Sequence, residues 1–255
     1  MMRWSRQILF GDVDAMFASA AVLADPSLAG KPVAVGGSSP RGIIAAASYE
    51  ARAFGVHSAM PTGEATRLCP QLILIPPDRP LYSRLHEQMQ AVTDELFPLT
   101  EWSSIDEFYA DTTQLQTRHP DPHSLGQLAK DALYDATGLR CTIAVATGKT
   151  VAKIAADSHK PDGLVIVPPG TEETFLALRP LRALPGVGPK TSARLTPLGL
   201  KTIGELLDQR WDQPLRHIFG TRLHWVRELA RGIDHEPVVA DRESKSLSHE
   251  TTFEQ

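Results

Sequence analysis

The chain has 255 residues, of which 42% are hydrophobic and 22% are charged, and its formal net charge is −4. This composition is typical of a globular protein with a buried core, and the two cysteines, Cys69 and Cys141, are too few for a secreted disulfide framework. No run approaches the roughly 18 consecutive apolar residues of a membrane helix, and the first residues do not resemble a secretory signal, so we expect a cytoplasmic protein with no membrane partner.

Short apolar runs alternate with segments of helical periodicity through the first 167 residues. Strands are predicted over residues 7–10, with an extension to Asp12, and over residues 31–35, 42–47, 72–75, 104–111, 141–146 and 163–167. Helices are predicted over residues 15–23, 49–54, 62–68, 81–97, 124–137 and 150–158. Alternation of this kind predicts an α/β or α+β sheet domain.

The pattern changes at residues 168–170, after which it predicts only short helices separated by tight turns. Residues 179–231 contain ten basic and four acidic side chains, so this segment carries a net charge of +6. Such asymmetry indicates a module that binds a polyanion, although a solvated helical surface explains the charge equally well. Residues 246–253 alternate like the beginning of a strand, and we expect the natural chain to continue.

Three carboxylates lie in strand-like surroundings. Asp12 follows an apolar strand, and Asp106 and Glu107 lie in a second strand-like run. Ionised groups in buried strands are costly unless they are paired or bind a metal. If the two strands are neighbours, the carboxylates concentrate negative charge and hard oxygen ligands, which favours Mg²⁺ or Mn²⁺ over zinc. Exposed carboxylates at a strand edge are the alternative interpretation for either motif alone.

Three further side chains are suited to phosphate. Tyr49 and Arg52 are three residues apart on a predicted helix and share a face, where a phenol and a guanidinium match phosphate oxygens. Lys160 precedes a Pro-Asp-Gly turn, from which it can reach a phosphate as a point charge. Taken singly, an ordinary surface pair and a lysine favoured by the helix dipole are the simpler interpretations.

A glycine hairpin lies within the basic segment. Gly186, Val187 and Gly188 precede Lys190 and separate two predicted short helices. Glycine lets backbone amides approach closely, and amides at the N-terminus of a helix bind phosphate. The pattern predicts a helix-hairpin-helix that holds a DNA backbone without reading its sequence and in a salt-dependent manner.

Taken in order, these motifs resemble those of the Y-family of lesion-bypass DNA polymerases, and the resemblance covers essentially the whole chain. It is carried by residues 11–17, 49–56 with 59–61, 104–107, 152–157 with 160–163, and 185–188. It implies an α+β fold with a palm of mixed β-sheet and helices, a small α/β fingers domain and an all-helical thumb with a helix-hairpin-helix.

The same resemblance implies the domain boundaries. The palm would comprise residues 1–14 and 80–167, the fingers residues 15–79 and the thumb residues 168–240. Residues 241–255 would be a linker and the start of a little-finger domain that is absent, so low DNA affinity and low processivity are expected.

The resemblance further implies two-metal addition of deoxynucleotides to a primer 3′ end, specialised for translesion synthesis. Two Mg²⁺ ions, for which Mn²⁺ can substitute, would be held by the carboxylates of Asp12, Asp106 and Glu107 and by the carbonyl of Val13. The deoxynucleoside triphosphate would be bound by Tyr49, Arg52 and Lys160 and by the backbone near Ala15, Met16 and Phe17.

Phe17 would also be the steric gate that excludes a ribose 2′ hydroxyl, with simple core packing as the alternative. Three features depart from the family pattern. Met16 replaces an aromatic residue, Ala46 stands where a threonine usually donates to a phosphate, and Ala20-Ala21 lack a usual glutamate.

The expected partners are primer-template DNA, deoxynucleoside triphosphates and a sliding clamp bound through a missing C-terminal region, with the chain a monomer. Three alternatives stay open: a weak or inactive lesion-bypass accessory protein that binds DNA, a plain DNA-binding module, and an unrelated magnesium phosphotransferase or nucleotide cyclase. The presence of all three carboxylates argues against the first, and the basic segment argues against the last.

Overall fold

The computed structural model describes residues 4–37, 39 and 41–240. Eight strands are β1 (Ile8–Val13), β2 (Val33–Gly36), β3 (Ile44–Ala47), β4 (Ile73–Ile75), β5 (Thr100–Trp102), β6 (Glu107–Asp111), β7 (Cys141–Ala146) and β8 (Leu164–Ile166) in this part of the chain. The α-helices there are α1 (Met16–Ala24), α2 (Tyr49–Arg52), α3 (Thr62–Leu68), α4 (Arg79–Leu96), α5 (Pro122–Thr137), α6 (Lys149–Asp157), α7 (Glu172–Ala177), α8 (Pro189–Leu195), α9 (Asp212–Phe219) and α10 (Leu223–Ala230).

A five-stranded mixed sheet with strand order β5-β6-β1-β7-β8 forms the centre of the fold. β1 pairs antiparallel with both β6 and β7, whereas β7 and β8 are parallel. Side chains alternate across the sheet: Ile8 and Phe10 face α6 and the C-terminal helices, and Leu9 faces α4 and α5. Because β1 is central and covered on both faces, it is apolar almost throughout, and its one carboxylate is buried with it.

A smaller sheet with strand order β3-β2-β4 lies beside the first. It packs against α2 and α3 through small apolar side chains that include Ala34, Ala47 and Ala51. Helix α1 joins the two sheets, because it contacts β2 and β3 while Met16 and Ala20 belong to the core of the larger sheet. The α+β class expected from the sequence is confirmed.

Residues 168–240 form only helices and short 3₁₀ turns, as the sequence predicted. Their buried leucines are continuous with the face of the large sheet that α6 covers, so this helical unit shares a core with the sheet. In the predicted pair of short helices around the glycine hairpin, the first member is a single 3₁₀ turn at Leu181–Ala183 and the second is α8. Pro180 and Pro185 flank that turn, and proline has no N–H to continue a helix.

Most other predicted elements are present with shifted ends. α4 and α5 begin earlier than predicted because Asp78 and Asp121 cap their first turns and a proline follows each cap. Strand β5 was missed, and the predicted helix over residues 49–54 ends at Arg52, followed by a turn at Gly55 with φ +88°. The strand expected over residues 246–253 lies outside the described residues.

The predicted strand over residues 104–111 is wrong at its start, since β6 begins at Glu107. The hydroxyl of Ser104 accepts the backbone N–H of Glu107 at 3.1 Å, and the backbone N–H of Ser103 donates to the Glu107 carbonyl at 3.0 Å. Local serine bonding of this kind competes with strand pairing. Asp106 therefore lies on a bend beside the sheet rather than within a strand.

The segment after α10 returns to the large sheet and is held there by polar contacts. The carboxylate of Glu101 on β5 accepts the backbone N–H of Val239 at 2.8 Å and forms an ion pair with Lys149 at 2.6 Å. Asp234 accepts the backbone N–H of Thr150 at 2.8 Å. Both members of the Glu101–Lys149 pair are more than nine-tenths buried, so their contact replaces part of the hydration that each charge loses on folding. Among the described residues, no helix is long and apolar enough to cross a membrane.

We expect Glu101→Ala to lower the free energy of unfolding by about 3–5 kcal/mol, because it removes the buried carboxylate nearest to the Lys149 ammonium and leaves it with the more distant carboxylate of Glu236 at 3.6 Å. Urea unfolding followed by circular dichroism measures this change. The matched control is Glu173→Ala at an exposed position of α7, which should change stability by less than about 0.5 kcal/mol. Equal losses in the two variants would contradict the assignment.

Candidate active site

The pairing of β1 with β6 brings the three predicted carboxylates to one end of the large sheet. Asp12 and Glu107 are direct partners in the register of the two strands. The backbone N–H of Val13 donates to the carbonyl of Asp106 at 2.9 Å, which fixes the bend before β6 against β1. Asp12 is only 3% exposed, whereas Asp106 and Glu107 are half-buried. Residues nearly one hundred positions apart thus form a single acidic edge.

Each carboxylate has a partner in this structure. Lys160 donates to Asp12, Lys153 forms an ion pair with Glu107 at 2.5 Å, and the Ser104 hydroxyl donates to Asp106 at 2.5 Å. With these partners in place, no group of three His, Cys, Asp or Glu side chains in the described ranges is arranged to hold a metal ion. The carboxylates are neighbours, but their present contacts are with protein donors.

The acidic edge holds more negative charge than its surroundings stabilise. Burial raises the pKa of Asp12 to about 7; the nearby Lys160 opposes the shift, and the charges of Glu107 and Asp106 add to it. Burial acts to lower the pKa of Lys160, but the carboxylates of Asp12, Asp157 and Glu107 together outweigh burial and the net shift is upward. A cation near Asp12 is therefore strongly favoured, and Lys160 now supplies it.

Tyr49 and Arg52 share one face of α2, as predicted, and contact each other. The Arg52 guanidinium carbon lies 4.6 Å from the centre of the Tyr49 ring, and its Nε donates to the carbonyl of Ala47 at 3.0 Å. The Tyr49 hydroxyl donates to Oδ1 of Asp14 at 3.2 Å. Burial, followed by the charge of Asp14, raises the pKa of Tyr49, so the phenol stays protonated and remains a hydrogen-bond donor.

The turn after β1 places the next predicted residues. Ala15 has φ +48° and precedes α1, whose first backbone N–H groups have no carbonyl partner within the helix. Phe17 is half-buried and stacks on Tyr82, with ring centres 4.2 Å apart and planes inclined by 22°. Met16 is buried in the core of the large sheet, so its departure from the family pattern is a change of core packing.

The glycine hairpin is built as a tight turn before α8. Gly186 has φ +86°, a conformation that favours glycine, and a Cβ atom there would lie 3.0 Å from the Trp225 ring. Val187 is buried, whereas Gly188 and Lys190 are exposed. Of the predicted DNA-binding residues, Val187 can therefore offer only its backbone, because its side chain anchors the hairpin.

A cleft of about 750 Å³ connects the hairpin to the acidic edge. Glu107 and Lys153 lie on one wall, and Gly186, Gly188 and Trp225 lie on the other. The hairpin and one of the predicted catalytic carboxylates thus face the same space. The sequence alone did not predict this juxtaposition, because it depends on how the helical unit packs over α6.

Two residues of the site received no role from the sequence. Lys153 lies seven residues before Lys160, and Asp14 is two residues after Asp12, a spacing that puts both aspartates on one side of an extended chain. That alternation was the available indication for Asp14. For Lys153 the indication was weaker, because an isolated lysine on a helix is usually a surface residue.

The family profile for the impB/mucB/samB family matches residues 11–157. The chain is 42% identical over 254 residues to a DNA polymerase IV of Halorhodospira halophila, with 99% of this chain and 70% of the relative covered. It is also 42% identical over 255 residues to a DNA polymerase IV of Streptomyces coelicolor, with 99% of this chain and 53% of the relative covered.

Solved structures agree with these matches. An insertion ternary complex of Dbh DNA polymerase superimposes with a TM-score of 0.82 at 30% identity, with 91% of this chain and 69% of that chain covered. A crystal structure of DinB from Sulfolobus solfataricus gives a TM-score of 0.83 at 30% identity with the same coverage. The fold around the acidic edge is thus similar to that of known polymerases.

Proposed function

This chain belongs to the impB/mucB/samB family of Y-family DNA polymerases, and we propose that it adds deoxynucleotides to a primer 3′ end under the direction of a template, in lesion bypass. The observation that carries the mechanism is the register of β1 with β6, which brings Asp12, Asp106 and Glu107 together. A DNA-binding module acting through its hairpin alone would leave these buried acidic groups without a role.

The donor set of the acidic edge fits divalent cations. Asp12, Asp106 and Glu107 supply hard carboxylate oxygens. Burial first, and then the charges of Glu107 and Asp106, raise the pKa of Asp12, and a nearby cation would stabilise its ionised form. These three side chains and the carbonyl of Val13 would hold two Mg²⁺ ions, or Mn²⁺ in their place, which would supply charge neutralisation at the attacking and leaving oxygens. Lys160 and Lys153 are paired with Asp12 and Glu107 in this structure. Both lysines therefore have to change partner before the cations can bind there.

The triphosphate offers the lysine at Asp12 a new partner. Lys160 pairs with Asp12 in the absence of nucleotide, and phosphate oxygens carry more negative charge than one carboxylate. When Lys160 moves to the phosphates, Asp12 becomes available as a cation ligand. Tyr49, Arg52 and the first backbone N–H groups of α1 complete the proposed cradle, on the surfaces next to Asp12.

The sugar and the DNA occupy the remaining surfaces. Phe17, held by stacking on Tyr82, would exclude a ribose 2′ hydroxyl. In this proposal the large sheet is the palm (residues 1–14 and 80–167), the small sheet with α1 is the fingers (residues 15–79), and residues 168–240 are the thumb. Gly188 and Lys190 would hold the DNA backbone across the cleft. A monomeric state, a sliding-clamp partner and a cytoplasmic location stay predictions.

We expect Asp106→Asn to lower the rate of primer extension by at least about 100-fold, because it removes a charge from the metal-binding edge while keeping the shape of the side chain. The measurement is single-nucleotide extension of a labelled primer-template with Mg²⁺. Asp135→Asn, at an exposed carboxylate on α5, is the matched control and should leave the rate unchanged.

The same assay separates the alternatives. An accessory protein would bind primer-template DNA without extending it, and Asp106→Asn would then change nothing. Untemplated nucleotide turnover would indicate a phosphotransferase or cyclase. Extension by the unmodified chain that responds to the template base, and that depends on Asp106, supports the polymerase proposal.

We expect Phe17→Ala to raise incorporation of ribonucleotides relative to deoxynucleotides by at least about tenfold, because the variant lacks the ring that would clash with the 2′ hydroxyl. A clash of about 1.4 kcal/mol in the transition state corresponds to a factor of ten in rate. The ratio of kcat/KM for the two nucleotides at one template position measures the effect. Tyr134→Ala, which removes a half-exposed aromatic ring from α5, should leave the ratio unchanged. An unaltered ratio in Phe17→Ala would assign this ring to core packing.

A further inference from the structure

We propose that Asp14 is a positioning residue for the incoming nucleotide, holding Tyr49 and the turn that carries Lys160 in the geometry that receives the triphosphate. This inference rests on the proposed function and deepens it. Asp14 is 4% exposed and follows β1 directly, two residues after Asp12. Asp14 is not one of the proposed metal ligands, and its hydrogen bonds indicate a different role.

The Asp14 carboxylate accepts hydrogen bonds from three separate parts of the chain. The Tyr49 hydroxyl donates to Oδ1 at 3.2 Å, and the Thr142 hydroxyl on β7 donates to the same oxygen at 2.9 Å. The backbone N–H of Asp162 donates to Oδ2 at 2.7 Å. One buried side chain therefore joins α2, β7 and the turn before β8.

The contact with Asp162 fixes the base of the turn on which Lys160 is mounted. Asp162 has φ +56°, a strained conformation for a residue with a side chain, so the turn needs outside contacts to keep its shape. Its carboxylate is held by Lys130 at 2.7 Å and by Arg140 at 2.8 Å, while its N–H is held by Asp14. Lys160 lies two residues before Asp162, and from this turn its ammonium contacts Asp12.

The contact with Tyr49 sets the direction of the phenol. A phenol has one proton to donate, and in the structure that proton points to Asp14. Asp14 thus holds the Tyr49 ring in place and accepts its hydroxyl proton until a triphosphate oxygen takes over as the acceptor. Because Tyr49 and Lys160 are both anchored through Asp14, their separation is set by one group rather than by two independent loops.

A carboxylate is required for this task, and an amide is not equivalent. Ionised aspartate accepts hydrogen bonds at both oxygens, whereas asparagine has one accepting oxygen and one donating nitrogen. Asp14→Asn therefore turns the amide nitrogen toward at least one donor. If the amide oxygen stays on the Asp162 N–H, the amide nitrogen faces the two hydroxyls, which then have to accept instead of donate. The Tyr49 proton then no longer points to residue 14, and in the opposite orientation the contact with the Asp162 N–H is lost.

The test measures KM for a deoxynucleoside triphosphate, kcat, and the dissociation constant for primer-template DNA in the full chain. We expect Asp14→Asn to raise KM by at least about tenfold, with a smaller change in kcat and an unchanged DNA dissociation constant. The stability control is Thr112→Val, which removes a buried hydroxyl bonded to Gln7 at 2.9 Å, on a segment that contributes nothing to the proposed nucleotide cradle. That variant should lower the melting temperature without changing KM.

A double-mutant cycle with Tyr49→Phe gives a second readout. If Asp14 acts partly through Tyr49, the double variant raises KM by less than the product of the two single effects. Should Asp14→Asn fail to fold, Thr142→Val takes its place, because it removes one donor to the carboxylate and leaves Tyr49 and Lys160 intact. A higher nucleotide KM in that variant supports the proposal, and an unchanged KM overturns it.

The outcomes for this proposal and for the polymerase function are distinct. No template-directed extension by the unmodified chain would remove the proposed function itself. Extension by the unmodified chain together with the same KM in Asp14→Asn would overturn the role of Asp14 alone. A loss of kcat and of melting temperature at constant KM would also overturn it, because it would show that Asp14 only stabilises the fold.

Discussion

The antiparallel pairing of β1 between β6 and β7 is the constraint on which the rest of the site depends. It places Asp12 opposite Glu107 and delivers Asp106 to the backbone of Val13. Because β1 is buried on both faces, its carboxylate cannot be solvated and has to be neutralised by a neighbour. A slip of one residue in this register would move Asp12 to the opposite face and separate the acidic groups. The hydrophobic core on both sides of β1 therefore also specifies the geometry of the proposed active site.

Neutralisation is achieved by lysines from the elements that follow β7. Lys153 on α6 pairs with Glu107, and Lys160 in the next turn pairs with Asp12. Leaving the buried Asp12 carboxylate unpaired would cost several kcal/mol, so its pair with Lys160 stabilises the fold when neither nucleotide nor cation is bound. The pairs are also exchangeable, since Lys160 and Lys153 are both partly exposed. The Glu101–Lys149 pair is different, because both of its side chains are buried. This pair is therefore suited to stabilising the fold without exchanging partners.

The sequence predicted the central strands and the long helices correctly, because apolar periodicity and capping residues are local properties. The metal-binding role of the acidic residues stays a prediction. It was wrong where a local hydrogen bond competes with the pattern, as at Ser104, whose hydroxyl accepts the Glu107 N–H so that β6 begins only after Asp106. It missed β5 because three residues are too few to show alternation. Nor did it predict the lysine–carboxylate pairs, the stacking of Phe17 on Tyr82 or the cleft beneath Trp225, since each depends on elements far apart in the chain.

Asp12 and Asp14 show how one strand end can serve two purposes. Both are buried carboxylates within three residues, yet their partners differ in kind: Asp12 faces the Lys160 ammonium, and Asp14 faces hydroxyls and a backbone N–H. Lys160 can leave Asp12 for a phosphate. Among the neutral donors around Asp14, only the Tyr49 hydroxyl has a phosphate as an alternative acceptor in this proposal. Asp12 is thus suited to exchanging its partner, and Asp14 is suited to keeping its hydrogen bonds. This division follows from the chemistry of the donors, because burial and chain position are nearly the same for both.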